Sequence, residues 1–434
     1  MSQRDQAGLI LTGASPAAVE KYDAALQAYH CYAGDPMTLL AQAVEDSPQF
    51  VMAHALTAYM CLVGANAEAT AMGRAAFEQA AQLKGTEREL GHVKALDQLI
   101  RGRMAAAGRI LEDVSIAEPR DVLALQAGQL MDFLVGDSRM LRDRIGRALP
   151  AWSRADAGYH AVMGMLAFGL EETGHYARAE DAGREALAHE RRNSWAQHAV
   201  AHVMEMQDRR ADGIAFMRAD VDAWTRENFF AVHNWWHLAL FHLGLGEVDE
   251  VLKLFDGPIF GAQSDMSFDM VDAAALLWRL HLRGVDLGRR WDAMADHYQA
   301  NSSPGVYAFD DMHAMMSYVG AGRVDAQAEL LAIQDQAVAG TGDNAVMSRD
   351  VGRPVLQAPQ AFGAGDYAGA LARLRPVRHI ANRFGGSHAQ RDLLDLTMIE
   401  AARRGGDDAM HAALVAERDA AKPRVDGVQI RRAA

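Results

Sequence analysis

Cysteine is almost absent from this chain: Cys31 and Cys61 are the only two in 434 residues. Without a CxxC or CxxxC neighbour they supply neither a disulfide framework nor a cysteine-rich zinc site. Their apolar surroundings suit reduced, buried thiols. Proline is scarce as well, at 11 positions, which leaves long stretches free to stay helical. No run of about 18 apolar residues occurs, so no membrane-spanning helix is expected. The opening MSQRDQAGLILTG lacks a charged segment followed by a long apolar run and does not read as a signal peptide. Basic charge is short too: 43 Lys and Arg against 57 Asp and Glu leave a net charge of −14. A general polyanion binder would carry the opposite balance. These absences predict a cytoplasmic protein with neither nucleic acid nor membrane as its partner.

What is present favours helix. Half of the residues are hydrophobic, alanine and leucine are abundant, and the chain is long for one compact core. A short phrase recurs: a glycine-centred turn, then an amphipathic helix. It reads GDSRMLRDRIGRAL from Gly136, GHYARAEDAGREAL from Gly174, GEVDEVLKLF from Gly246, GRVDAQAELL from Gly322 and GDYAGALARL from Gly365, with a degenerate copy, DRRADGIAFM, from Asp208. Units of about 34 residues or more are the mark of tetratricopeptide-like arrays. The expected fold is all-α: a right-handed, tetratricopeptide-like helical-hairpin solenoid of ten to twelve helix pairs. It forms one continuous domain over residues 1–434, with a short basic tail from about 421. Inner helices are expected over 157–171, 195–207, 233–243, 270–283 and 312–320. The least regular stretches are 257–268, 301–309 and 340–354.

The densest chemistry lies between Ser194 and His242. His198 and His202 are four apart, Glu205 follows three later, and His233 and His237 are again four apart, enclosing Asn234, Trp235 and Trp236. Residues four apart share a helix face, and imidazoles in an apolar layer must find hydrogen-bond partners. A lone histidine on such a helix is ordinarily packed against a carbonyl, the reading that suits His242, His281 and His297. Two pairs in neighbouring units suit a site better. Trp235 and Trp236 point to opposite sides of one turn, one into the seam and one toward a pocket.

The segments just quoted resemble the tetratricopeptide repeat protein 38 family. The matching phrases are GDSRMLRDR, MLAFGLEETGHYARAE, HAVAHVMEMQ, HNWWHLALFHLG, FDMVDAAALLWRL with Arg290–Trp291, FDDMH and GGSHAQRD. They cover most of the chain, from the first helix to about residue 405. The resemblance implies a helical tetratricopeptide-like fold and supplies no settled activity.

Further candidates follow along the chain. Asp272 sits in an apolar helix with Arg279 seven residues on, on the same face and placed to pair with it. Asp310 and Asp311 either cap the helix that carries His313 or belong to a site. Ser387 reads as an N-cap, with His388 and Arg391 behind it. Two chemical readings arise. In one, a divalent metal is held by the histidines and carboxylates, although HExxH is absent. In the other, preferred here, no metal or other cofactor is needed: His198, His202, His233, His237, Asp272 and His313 perform acid–base catalysis, with Asp272 or Glu205 orienting an imidazole. Trp235, Trp236, Glu205, Arg279, Asp310, Asp311, His388 and Arg391 would then line a concave groove for a small molecule. No nucleophile elbow, phosphate loop or dinucleotide fingerprint is present, which sets aside kinase, nucleotidase and nicotinamide-dehydrogenase functions. A hydrolase or lyase is the leading expectation. A peptide- or protein-binding scaffold is the alternative, and a homodimer is expected of a long acidic array.

Overall fold

The computed structural model of the protein describes residues 3–63 and 67–422. All but the first two residues of the expected basic tail lie outside the described residues. Among the described residues the chain forms 24 α-helices and one antiparallel hairpin, Gln3–Arg4 with Ile10–Leu11. The hairpin departs from the wholly helical expectation. With two residues a side it is too short to show alternation in sequence, and its turn is set by Asp5, whose carboxylate accepts from Leu9 N at 2.8 Å. No helix among the described residues is long and apolar enough to cross a membrane.

The recurring phrase produces one local geometry each time. Gly136, Gly174, Asp208, Gly246, Gly322 and Gly365 all take positive φ, between 57° and 80°. Each donates its N–H to the carbonyl three residues back, and the next residue donates to the carbonyl five back. This is the Schellman stop, which satisfies the last carbonyls of a helix and turns the chain into the next one. Asp208 tolerates the left-handed conformation as short polar residues can, so the degenerate copy is still a turn. The same bonds close at Gly102, Gly284 and Gly406, which extends the series beyond the phrases recognised in sequence. Successive turns are then 34, 38, 34, 38, 38, 38, 43 and 41 residues apart.

Contacts divide the chain into two compact units, residues 1–203 with 219–234, and residues 204–218 with 235–434. In the first unit, consecutive helices pack as pairs: Pro16–Cys31 with Pro36–Asp46, Val51–Leu62 with Ala67–Ala80, Glu87–Ile100 with Met104–Ala117, and Tyr159–Glu171 with Tyr176–His189. In the second, Ala308–Gly320 packs with Val324–Ala339, Arg353–Gly363 with Tyr367–Leu374, and His388–Gly405 with Asp408–Ala421. The inner helix Tyr159–Glu171 is buried nearly all round. Every residue from His160 to Glu171 is buried. Outer helices bury one stripe: Tyr176–His189 covers Ala179, Ala182, Gly183 and Ala186, spaced three and four apart as an amphipathic helix requires. Gly183 is needed there, since a Cβ would stand 2.5 Å from Val200 Cγ2. Small residues thus let the helix that carries His198 and His202 approach closely.

Several boundaries differ from expectation. The helix with His313 begins at Ala308, after Tyr307. Asp310 and Asp311 therefore lie inside its first turn and are not its cap. The stretch 340–354 is not a plain loop: it holds a helix, Asp343–Met347, a wide π turn at Ser348–Gly352, and the start of Arg353–Gly363.

Candidate functional site

Residues of the first unit, drawn from three helices, form the strongest constellation. Asn193 starts the helix Ser194–Met206: its side-chain oxygen accepts from Ala196 N at 2.9 Å, while its amide donates to His160 O at 2.9 Å. Asn228 donates to Ser194 Oγ at 2.6 Å and to Cys31 O at 3.2 Å, and Asn234 donates to Ser194 O at 3.4 Å. These amides fix the start of Ser194–Met206 against the start of the helix that carries His233. The register places His198 Nε2 and His233 Nε2 3.0 Å apart. His202, one turn past His198, sets its ring centroid 4.3 Å from that of His198. Its Nδ1 lies 3.4 Å from the Glu171 carboxylate at the end of Tyr159–Glu171. Glu172 follows and accepts from Ser138 Oγ at 3.4 Å.

Water is excluded from this cluster. His202 is 0 % exposed, and His198, His233 and Glu171 are each 2 % exposed. Phe168, Trp195 and Phe230 wall it, each with a ring centroid within 5.3 Å of that of His198. The donor nitrogens of His198, His202 and His233 fall within 4.8 Å of one another, and so do ligand atoms of Glu171, Glu172 and His202. Nitrogen and carboxylate donors at this spacing are a set that a metal ion can use. His237 stands one turn beyond His233 on the same helix, fully buried, with its ring 4.9 Å from that of Trp236.

The remaining candidates have other surroundings. Glu205 does not orient a histidine: it is half-buried and paired with Lys422. Burial would raise its pKa, but the Lys422 ammonium outweighs that and holds it below the ordinary value. Arg279 does not pair with Asp272. Its guanidinium donates to Ala275 O at 3.2 Å and to Ala389 O at 2.7 Å, and lies 5.3 Å from the Trp236 ring centroid. Burial lowers its pKa to about 10. Asp272 is fully buried in the second unit. Trp236 is the buried indole of its pair and Trp235 is half-buried.

Asp310 accepts from Ser267 Oγ, and Asp311 accepts from Gly305 N at 3.1 Å and from Gln334 Nε2. Burial raises their pKa values to about 6 and about 7. His313 donates from Nδ1 to Phe309 O at 2.9 Å, and burial lowers its pKa to about 4. It is a packed imidazole bonded to the carbonyl one turn back. His388 is exposed. Arg391 donates to the carbonyl of Gly386. His297 bonds to Ser264 O at 2.8 Å, the packed role expected of it; His242 instead pairs with the Glu247 carboxylate at 2.5 Å, and the half-buried His281 stacks on Trp278.

Glu171, the last residue of its helix, and Glu172, just after it, are not among the residues that spacing pointed to, although MLAFGLEETGHY places two adjacent carboxylates directly after an apolar run. No protein-family model matches the chain.

Proposed function

We propose that the protein is a tetratricopeptide-like repeat protein, akin to the tetratricopeptide repeat protein 38 family, that carries out histidine acid–base chemistry on a small, partly apolar molecule. The reaction class is hydrolase or lyase. The observation that carries this reading is the buried His198–His233 pair, 3.0 Å between Nε2 atoms, with Glu171 behind the neighbouring His202. Imidazoles exchange protons near neutral pH, and a carboxylate fixes the ring's tautomer and strengthens it as a base. The surrounding Phe168, Trp195 and Phe230 strengthen every polar interaction inside by keeping water out. The uniform helix stops and sequential helix pairs support a solenoid. Two buried free thiols, Cys31 and Cys61, fit a reducing cytoplasm.

The test is a turnover screen of the full chain on esters, amides, lactones and β-hydroxy acids, beside a His198→Gln/His233→Gln variant. Turnover that falls at least about 100-fold in the variant is expected. Absence of turnover across the panel overturns the reading. A non-catalytic peptide- or protein-binding scaffold is then the alternative. One observation favours it: the cavity beside Trp195, lined by His30, Tyr32 and Gln126, measures about 20 Å³, enough for a single water, whereas the pocket of about 540 Å³ lined by Gln27, Cys31, Arg192 and Arg226 includes no histidine. Self-association as a homodimer is checked by light scattering.

A further inference from the structure

We infer that the buried cluster of the first unit binds one divalent transition-metal ion, zinc by preference, through His198, His202 and His233. The inference shares the location of the proposed reaction but does not need that reaction to exist.

The contrast with other histidines of the molecule is the starting point. His54 bonds to Pro48 O, His297 to Ser264 O and His313 to Phe309 O. Those rings are satisfied by carbonyls, as packed imidazoles ordinarily are. His198 and His233 present Nε2 to Nε2, and a ring nitrogen of His202 lies within 4.8 Å of theirs, so three imidazoles converge where the other rings stand singly. A tetrahedral zinc ion with Zn–N of about 2.0–2.1 Å holds its ligand nitrogens roughly 3.3 Å apart. The 3.0 Å between the His198 and His233 nitrogens is short of that by a few tenths of an ångström, a gap that side-chain rotation closes.

The carboxylates complete the case. Glu171 faces His202 Nδ1 at 3.4 Å, so it stands behind the ring that would turn Nε2 to the ion. A carboxylate behind a ligating imidazole is the usual means of fixing its tautomer and raising its basicity. Glu171 and Glu172 are both buried, and their negative charge offsets the cost of placing a dication in a water-excluded site. Imidazole donors select zinc, copper or nickel over magnesium and calcium, which require oxygen. On binding, the ring that carries its proton on Nε2 moves it to Nδ1, so both rings turn a lone pair to the ion and no proton is lost. The fourth position falls to water, as in zinc sites with three protein ligands.

The experiment uses the full chain stripped with a chelator, titrated with Zn²⁺ by calorimetry and with Co²⁺ by visible absorption. One equivalent per chain and the intense absorption of tetrahedral cobalt are expected. Glu171→Gln keeps all three ligands and the volume of the side chain; its affinity is expected to fall about 10- to 100-fold with an unchanged circular dichroism spectrum. His198→Gln/His233→Gln is expected to lose binding. Folded wild-type protein that takes up neither ion, or equal uptake by the His198→Gln/His233→Gln variant, overturns the site. Metal uptake without turnover on any substrate retires the reaction and leaves the site. Turnover by metal-free protein that takes up no ion retires the site and leaves the reaction.

Discussion

The Nε2 atoms of His198 and His233 lie 3.0 Å apart between two helices, each ring 2 % exposed. An N–H···N bond needs one donor and one acceptor, so the two rings hold complementary tautomers. That relationship couples their stabilities. His233→Leu takes away the hydrogen-bond partner of His198 Nε2 and is expected to cost about 1–3 kcal/mol. The His198→Leu/His233→Leu double variant should cost less than the two single changes together, because it removes both polar groups at once. Urea unfolding measures all three, and strictly additive losses would refute the coupling.

Arg144 offers a second, purely structural test. Its guanidinium is 1 % exposed and donates to Asp132 at 2.7 and 2.9 Å and to Gly108 O at 3.0 Å. A Cβ at Gly128 would stand 2.6 Å from Arg144 Cζ. Gly128→Ala must therefore displace a buried ion pair, and a loss of about 3 kcal/mol is expected. Gly146→Ala meets nothing within 4 Å on an exposed helix face and should instead gain about 0.5–1 kcal/mol. Thermal unfolding of both variants checks the pair of signs.

Acid should weaken the first unit. Burial lowers the pKa of His30 to about 3 and that of His160 to about 4, from an ordinary 6.5. Between pH 6.5 and 4 the unfolded chain binds protons at these rings and the folded chain does not. Stability is thus full above pH 6.5 and falls as pH drops through that window. His30→Asn should flatten the slope, recovering on the order of 2 kcal/mol of the acid loss near pH 4. Denaturant unfolding across that window decides it, and an unchanged slope would count against the assignment.

Asp311 works in the opposite direction. Its folded pKa is raised to about 7 by burial, against an ordinary 3.8. From pH 4 to 7 the folded chain keeps a proton that the unfolded chain has released, so this residue lowers stability as pH rises. Asp311→Asn mimics the protonated acid and can still accept from Gly305 N. The variant should gain on wild type by about 2 kcal/mol between pH 4 and pH 8, as read from unfolding midpoints at both values.

Much of the helical framework was legible because it depends on local rules. The phrase after Gly174 reads as a turn and a helix, and the structure has a positive-φ glycine and the helix Tyr176–His189 there. Ser387 caps its helix with Gln390 in a reciprocal capping box. The start of the helix at Ala308 was misplaced because neither Tyr307 nor Ala308 carries a cap side chain, and Asp310 and Asp311 look like one. The candidate site was legible only in part. His198, His202 and His233 stand out as imidazoles in apolar helices, whereas the sequence offers Asp272 or Glu205 as the orienting carboxylate, and Glu205 pairs with Lys422.

By itself the sequence determined the helices, their stops and their apolar faces, since hydrophobic period, capping and left-handed turns act within a few residues of chain. It also determined that His198, His202 and His233 would be buried, because they sit in strongly apolar stretches of helix. Only the tertiary structure decided which of them meet. The pairing of His198 with His233, 35 residues apart, and of His202 with Glu171, 31 apart, depends on how neighbouring helices are rotated and on close approaches such as that of Gly183 to Val200. Helix rotation is set by interlocking side chains from separate segments, and no spacing within one helix encodes it.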